Sequence, residues 1–332
     1  MARERGGGRT KLLILGGTLF VGRHVVEAAL ARGHEVTLFN RGRTNAGLFP
    51  DVEELRGDRD GDLDAPRGRT WDAVVDPSGY FPHAVRESAE ALEGSVGRYL
   101  FVSSISVYSD LSKGPSEDSP RAQLGDMPAD EMLPEYENYG ALKALCEDAV
   151  WEVYGDRATI VRPGLIVGPH DPTGRFTYWP HRAARGGEMV VPAPPERTVQ
   201  FVDVRDLGRW LVELLERDEG GAFNATRSAV SWQELIDSAR SVAGSDATPV
   251  WIPDEFLSEH DVGEWMELPM WLADPEWVGM NQAEVSRAEA AGLSHRPLED
   301  TIRGTLEAAE TTDDAGMKPE REGELLEAWR AA

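Results

Sequence analysis

The alternation of short apolar runs with helical patterns is the feature that most restricts the folds open to this chain. Residues 11–15, KLLIL, end at a glycine pair, and residues 19–33 follow with apolar positions at helical spacing and a closing glycine. Further apolar runs occupy residues 71–76 and 98–104, and another follows a long helical stretch that begins at residue 139. Strands that alternate with helices predict a parallel sheet covered on both faces. The predicted fold class is therefore α/β, a doubly wound parallel sheet.

A glycine-rich loop joins the first strand to the first helix. In LGGTLFVG, Gly16 and Gly17 permit a tight turn, and Gly22 lets the helix pack close to the strand. A helix N-terminus at the end of a parallel strand attracts pyrophosphate, which favours a dinucleotide site over an ordinary tight turn. The candidate cofactor residues of this loop are Gly16, Gly17, Thr18, Leu19, Phe20, Val21 and Gly22.

The end of the second strand bears on the choice of cofactor. Asn40 stands where an acidic residue normally holds the adenosine ribose hydroxyls, and Arg41 and Arg43 follow it. A guanidinium there can hold a 2′-phosphate, which favours NADP(H) over NAD(H), with solvated loop arginines as the alternative. Asp58, after the third strand, is expected near the adenine.

The stretch YGALK places Tyr139 and Lys143 four residues apart in a helical pattern. Both side chains therefore lie on one face of the helix. A free tyrosine titrates near pH 10, and an ammonium group one turn away is expected to favour the phenolate and lower that pKa. The pair is thus a candidate acid–base couple, with an exposed surface pair as the alternative.

Four stretches in order, FVSSISVY, YGALK, RPGLIVGP and QFVDVRD, resemble motifs of the extended short-chain dehydrogenase/reductases, the NAD-dependent epimerase/dehydratase family. The resemblance covers roughly residues 10–310. GGTLFVG and VTLFNRG are most similar to an atypical subgroup that includes chloroplast stem-loop RNA-binding proteins and bacterial oxidoreductases. Leu19 stands where that subgroup often has arginine.

This resemblance implies a Rossmann-type fold and hydride transfer to or from a carbonyl or secondary alcohol, such as that of a sugar or nucleotide sugar. Tyr139 would exchange the proton, Ser104 would bind the substrate oxygen, and Lys143 would also hold the nicotinamide ribose. Pro163, in the motif after the catalytic helix, would contact the cofactor. The acidic residues of the family's dehydratases are absent from positions 104–106, which disfavours dehydration and leaves epimerisation and simple oxidation or reduction open. A homodimer through the catalytic helix is also implied.

The second half of the chain contains a loop, GPHDPTGRFTYWPHR, that is polar and rich in Gly and Pro. Such a loop over a cleft is typical of a pocket wall. Its arginine and that of VDVRD can bind a phosphate or carboxylate, with structural salt bridges as the alternative. No metal-ligand spacing is present, so no metal is expected. The candidate substrate residues are Ser106, His170, Arg175, Tyr178 and Arg205.

These patterns predict a division into two domains. A Rossmann domain that binds the dinucleotide is expected first, followed by a smaller C-terminal substrate-binding lobe that folds over the sheet. The expected bounds are 1–9 for a disordered lead-in, 10–168 for the Rossmann domain with 198–245 returning to it, and 169–197 with 246–332 for the lobe.

The formal net charge is −25, from 59 acidic and 34 basic residues. This charge repels phosphate backbones and disfavours a nucleic-acid partner. No apolar run approaches the roughly 20 residues of a membrane span, and the charged start does not match a signal peptide. The single cysteine, Cys146, is expected to be buried and fits a reducing cytoplasm. A cytoplasmic enzyme with a small-molecule substrate is expected; the alternative is a non-enzymatic RNA-binding or cofactor-sensing protein on this fold.

Overall fold

The computed structural model describes residues 8–308 and 315–332. Most of the predicted lead-in, residues 1–7, lies outside the described residues. The strands of the described part are, in chain order, β1 (Lys11–Leu15), β2 (Glu35–Asn40), β3 (Glu53–Arg56), β4 (Trp71–Asp76), β5 (Val96–Val102), β6 (Ala158–Pro163), β7 (Leu165–Val167), β8 (Glu188–Pro192), β9 (Thr198–Val199), β10 (Phe201–Asp203), β11 (Gly221–Ala225), β12 (Val230–Ser231), β13 (Thr248–Ile252), β14 (Glu264–Trp265) and β15 (Leu268–Pro269).

Helices connect and cover these strands. They are α1 (Phe20–Ala31), α2 (Pro82–Leu92), α3 (Tyr139–Tyr154), α4 (Tyr178–Ala184), α5 (Val204–Glu216), α6 (Trp232–Ala243), α7 (Asp254–Glu259), α8 (Ser286–Ala290), α9 (Leu298–Glu307) and α10 (Pro319–Ala331), with short 3-10 turns at Ile105–Val107, Pro134–Tyr136, Gly155–Arg157 and Val278–Asn281.

A seven-stranded sheet in the order β11-β6-β5-β4-β1-β2-β3 forms the centre of the protein. Every neighbouring pair in it is parallel. Strand order reverses between β1 and β4, so the connections from these two strands leave in opposite directions and open a crevice at the carboxyl edge. The predicted doubly wound Rossmann-type fold is confirmed.

The two faces of the sheet are covered because successive strand residues point to opposite sides. Leu12 and Ile14 of β1 pack in one buried cluster with α1 and α5. Leu13 and Leu15 pack on the other face with α2 and α3. Cys146 of α3 is fully buried in that second cluster, as predicted. Helix α3 is thus fixed against the sheet with its N-terminus at the carboxyl edge.

A third hydrophobic cluster lies outside the sheet and forms the core of the lobe. Trp179, Trp232 and Trp271 are fully buried there, together with residues of α9 and α10. Within the segment 198–245, α5 and β11 pack with the sheet, whereas Trp232 on α6 contributes to the lobe. The Ser231 hydroxyl caps α6 by accepting a hydrogen bond from the Glu234 N–H. The predicted domain bounds themselves stay a prediction.

Candidate active site

The turn between β1 and α1 depends on its glycines. Gly16 and Gly17 have φ angles of +109° and +93°. A Cβ atom on Gly17 would lie 2.6 Å from Cδ2 of Leu38, and one on Gly22 would lie 2.8 Å from the Gly17 nitrogen. Leu19 precedes α1 and supplies no side-chain cap, so the first N–H groups of the helix have no side-chain partner there. A tight turn with uncapped N–H groups fits a dinucleotide pyrophosphate.

A cavity of about 390 Å³ lies beside this turn. The loop after β2 closes over the turn: the Thr18 hydroxyl donates to the Thr44 carbonyl at 2.8 Å, and the Asn45 amide donates to the Thr18 carbonyl at 2.9 Å. Val21, another candidate cofactor residue, packs against the hydrophobic core of the sheet and does not line this cavity. The cavity is lined by Leu19, Phe20, Arg23, Asn45, Ala46, Gly47, Leu48, His170, Asp171 and Pro172. His170, predicted on the substrate side, therefore lies next to the glycine turn.

The side chain of Asn40 organises the end of β2. Its amide donates to the Gly16 carbonyl at 3.2 Å, and its carbonyl oxygen accepts from the Gly42 N–H at 2.8 Å and from Arg56 at 2.7 Å. Asn40 thus ties the glycine turn to the neighbouring strands. Arg56, which ends β3, was not among the sequence-predicted residues; its register opposite Asn40 places it there.

The predicted arginines after β2 lie on the surface. Arg41 and Arg43 are both exposed. A guanidinium nitrogen of Arg41 lies 3.9 Å from a carboxylate oxygen of Asp58, which brings these two predicted residues together. Pro163, also predicted to contact cofactor, is buried at the end of β6 opposite Ala225. All four candidates therefore lie at or beyond the carboxyl ends of their strands.

The Lys143 ammonium group is buried on α3 and points to the sheet. It donates to the Gly79 carbonyl at 2.8 Å and to the Val102 carbonyl at 2.7 Å. It also lies 4.2 Å from the centroid of the Phe101 ring. Burial lowers the pKa of Lys143 to about 8, with partial compensation from the charge of Asp76. Lys143 is therefore a buried cation fixed by the ends of β4 and β5, and not a surface residue.

The hydroxyl groups of Tyr139 and Ser104 lie close together. The Ser104 hydroxyl donates to the Ser106 hydroxyl at 3.0 Å and accepts from the Ser106 N–H at 3.1 Å, so it caps the 3-10 turn that follows β5. It also lies close enough to the Tyr139 hydroxyl to lower the pKa of that phenol. Ser104 therefore caps the backbone after β5 and also lies beside Tyr139, while its predicted bond to the substrate oxygen stays a prediction.

The pKa of Tyr139 differs from the sequence-based expectation. Burial and, to a smaller extent, the neighbouring Tyr80 raise this pKa to about 12, while Ser104 and Arg175 oppose the rise. The prediction that Lys143 lowers the pKa of Tyr139 is therefore wrong, because desolvation of the phenol outweighs the effect of nearby charges. At neutral pH this phenol is protonated.

The start of α3 is held in place by close packing at Gly140. A Cβ atom there would lie 2.0 Å from the Ser106 carbonyl oxygen. Only glycine allows α3 to approach the turn after β5 this closely. Gly140 therefore sets the position of Tyr139 relative to Ser104 and Ser106.

A buried ion pair supports the same edge of the sheet. Asp76, fully buried at the end of β4, accepts two hydrogen bonds from Arg59 at 2.6 and 2.7 Å and one from the Tyr99 hydroxyl at 2.8 Å. Burial opposes ionisation of Asp76, but the charge and hydrogen bonds of Arg59 hold its pKa below the usual value. Asp76 is therefore a carboxylate, three residues before the carbonyl that binds Lys143.

The remaining substrate candidates are dispersed. Arg175 lies near Tyr139 and Tyr136, with which it interacts electrostatically. The ring of Tyr178 packs against Gly316. Arg205 donates to Asp203 at 2.7 and 3.0 Å, the structural salt bridge that was its alternative role. Of these candidates, Ser106 is hydrogen-bonded to Ser104, and Arg175 lies within electrostatic range of Tyr139.

Two further properties concern the described residues as a whole. None of their helices has both the length and the apolar composition needed to cross a membrane. No group of three or more His, Cys, Asp or Glu side chains in residues 8–308 and 315–332 is arranged to hold a metal ion.

Several known proteins are similar to this chain in sequence. Residues 82–226 match the model of the NAD dependent epimerase/dehydratase family. A 2′-dehydrokanamycin reductase of Streptomyces kanamyceticus is 27% identical over 265 residues, which are 75% of this chain and 71% of that protein. Chloroplast stem-loop binding protein of 41 kDa b of Arabidopsis thaliana is 26% identical over 230 residues, 63% of this chain and 56% of that protein.

Solved structures share the fold at lower identity. A UDP-glucuronic acid 4-epimerase from Bacillus cereus in complex with NAD superposes with a TM-score of 0.63 and 17% identity, over 90% of this chain and 96% of that one. A UDP-N-acetylglucosamine 4-epimerase from Bacillus cereus gives 0.66 and 18%, over 91% of this chain and 100% of that one. These solved structures share the fold of this chain, and residues 82–226 are similar to the NAD dependent epimerase/dehydratase family.

Proposed function

We propose that this protein is an NAD(P)-dependent oxidoreductase or epimerase that interconverts a carbonyl and a secondary alcohol by hydride transfer. The observation that carries the proposal is the meeting of Ser104, Tyr139 and Lys143 at the carboxyl edge of the sheet that also bears the glycine turn. The names of similar proteins, a dehydrokanamycin reductase and UDP-sugar epimerases, support a sugar or nucleotide sugar as the substrate class.

Tyr139 is the proposed acid–base group. Because its pKa is raised to about 12, the phenol is protonated at neutral pH and can donate its proton to an alkoxide oxygen. Ser104, whose hydroxyl lies beside the phenol, would hold the same substrate oxygen by a hydrogen bond. NAD(P), when bound, supplies or accepts the hydride.

Lys143 is proposed to orient the cofactor end of this site. An ammonium group has three donors, and two of them are committed to the carbonyls of Gly79 and Val102. The third donor is left for a ribose hydroxyl or the Tyr139 oxygen. These two hydrogen bonds fix the direction of the ammonium group, whereas the ammonium group of an exposed lysine would be free to rotate.

The residues around β2 support NADP(H) over NAD(H). Asn40 brings no charge to this position, and its carbonyl oxygen is bound by Arg56. Arg41 and Arg43 add two exposed guanidinium groups that can meet a 2′-phosphate. Asp58 competes for Arg41, but at 3.9 Å and on the surface such a pair is weak.

Two measurements test the proposed function. The purified protein is denatured and any released dinucleotide is identified by mass spectrometry: tightly held NAD⁺ would favour an epimerase that recycles it, and an empty protein stabilised by NADPH would favour a reductase. The Tyr139→Phe variant should then retain cofactor binding and lose turnover. Tyr154→Phe, at the other end of α3, is the matched control because the Tyr154 hydroxyl has no hydrogen-bond partner among the described residues. Normal turnover by Tyr139→Phe would refute the proposed role.

An RNA-binding function is the second candidate, favoured by the likeness to the stem-loop binding protein. The net charge of −25 opposes it because RNA is an anion. Filter binding of a stem-loop RNA at physiological salt decides the matter: retention would support this candidate. A homodimer, implied by the family resemblance, is measured by sedimentation of the same sample.

A further inference from the structure

Arg175, in the loop before α4, presents a cation that has no ion-pair partner among the described residues. Its guanidinium group stacks over the Trp265 ring, 4.9 Å from the centroid. Its Nε atom is buried and has no hydrogen-bond partner among the described residues. Burial also lowers the pKa of this arginine, which shows that its surroundings disfavour the charge. Retaining a desolvated guanidinium without a partner is costly.

The nearest acidic group does not satisfy this arginine. Asp171 interacts with Arg175 electrostatically, but within the described residues the two do not form an ion pair. One oxygen of Asp171 accepts from the N–H and the hydroxyl of Thr173, both at 2.8 Å, while the other oxygen is buried without a partner. Asp171 therefore offsets part of the charge without occupying the fork of the guanidinium.

Other buried arginines of this protein show what is missing at Arg175. Arg59 donates two hydrogen bonds to Asp76, and Arg162 donates two to Glu147. Both pairs are internal and bidentate, the geometry that best stabilises a desolvated guanidinium. At Arg175 the corresponding carboxylate is not supplied from the described part of the chain. An anion from outside would complete the same arrangement.

The position of Arg175 links this missing anion to the reaction. Its charge acts on the phenols of Tyr139 and Tyr136. The Tyr136 ring meets the Tyr139 ring edge-on, with centroids 6.3 Å apart, and is 67% exposed. The guanidinium therefore lies within electrostatic range of the proposed acid, whose aromatic neighbour Tyr136 is open to solvent.

We infer that Arg175 binds an anionic substituent of the substrate, a carboxylate or phosphate, next to the carbon that reacts at Tyr139. This inference rests on the proposed function and narrows its substrate class to anionic sugars or their derivatives. The Trp265 ring holds the guanidinium group of Arg175 in place. The guanidinium can therefore bind an anion through two hydrogen bonds without the entropy cost of immobilising a free side chain. In a protein with a net charge of −25, this local cation counteracts the general repulsion of an anionic substrate.

Calorimetric titration of the full chain with three probes tests the inference. The probes are glucuronate, glucose 6-phosphate and neutral glucose, each titrated with and without saturating NADP⁺. We expect at least one anionic probe to bind tenfold or more tightly than glucose, about 1.4 kcal/mol. Glucuronate and glucose 6-phosphate separate a carboxylate from a phosphate ligand.

Variants assign the preference to this side chain. Arg175→Gln should abolish it, and Arg175→Lys should keep part of it, because the charge remains but the fork is lost. Arg303→Gln is the charge-matched control, since Arg303 is an exposed residue of α9 paired with Asp300. No anion preference in the wild-type protein, or the same preference in Arg175→Gln, would overturn the inference. Cofactor binding measured in parallel separates this outcome from failure of the proposed function, which would show as no NAD(P) binding.

Discussion

Replacement of Gly140 by alanine tests how the catalytic helix is positioned. In most exposed helical positions, alanine is more favourable than glycine by about 1 kcal/mol. Here the new Cβ atom would lie 2.0 Å from the Ser106 carbonyl oxygen, whereas ordinary contact begins at 3.4 Å. The N-terminus of α3 or the turn after β5 must therefore move by more than about 1 Å, a misplacement that costs on the order of 100-fold in rate at an active site.

The expected result has two parts. Overpacking of this kind destabilises by about 1–3 kcal/mol, so Gly140→Ala should unfold at a lower urea concentration than the wild-type protein. Turnover, followed by NAD(P)H absorbance, should fall by about 100-fold because Tyr139 moves relative to Ser104.

The chain offers a matched control for this substitution. Gly323 lies within α10, and a Cβ atom there would have no neighbour within 4 Å. Gly323→Ala should therefore stabilise the protein slightly and leave turnover unchanged. If Gly140→Ala behaved like Gly323→Ala in both assays, the close contact between α3 and the turn after β5 would not control the site.

Three other variants test separate parts of the site. Arg59→Met leaves the Asp76 carboxylate buried and unpaired and should destabilise the protein by about 3–5 kcal/mol in urea titrations; a loss below 1 kcal/mol would contradict this. Lys143 has a pKa of about 8 in the fold, whereas that of an ordinary lysine is 10.5, so the unfolded chain binds more protons between these two values. The wild-type protein should therefore gain stability relative to Lys143→Met as pH rises from 8 toward 10.5, and a pH-independent difference would contradict this. Changing Arg41 and Arg43 to glutamine should weaken NADP⁺ binding at least tenfold, with little effect on NAD⁺, measured by fluorescence titration; equal effects on both cofactors would exclude 2′-phosphate recognition.

The fold could be predicted because its determinants are local in sequence. The KLLIL run, the glycine pair and the helical spacing that follows are contiguous, and each specifies one element of a parallel sheet. Ser231 illustrates the same point, since the capping hydroxyl and the N–H that it accepts from are three residues apart. Right-handed crossover connections then limit the order of the strands.

The contacts around the candidate site could not be predicted from the sequence because they join segments that are far apart in the chain. Lys143 binds carbonyls 64 and 41 residues away, and a carbonyl carries no signal of its residue type. Arg56 reaches Asn40 through the register of two strands, and Trp265 reaches Arg175 through the packing of the lobe. None of these partners follows a fixed spacing that a motif can express.

The protonation state of the acid–base pair depends on burial, which spacing alone does not reveal. A helical separation of four residues predicts that Tyr139 and Lys143 share a face, and this leads to the expectation of a lowered tyrosine pKa. In the fold, desolvation raises the pKa of Tyr139 to about 12 and lowers that of Lys143 to about 8, so burial shifts each group toward its neutral form. A base form of Tyr139 at neutral pH therefore requires further positive charge in the cleft. Arg175 already lowers the phenol pKa, and an anionic substrate bound there would cancel that effect. Tyr139 would therefore start the reaction as the protonated phenol, which is the form that the proposed reductive direction requires.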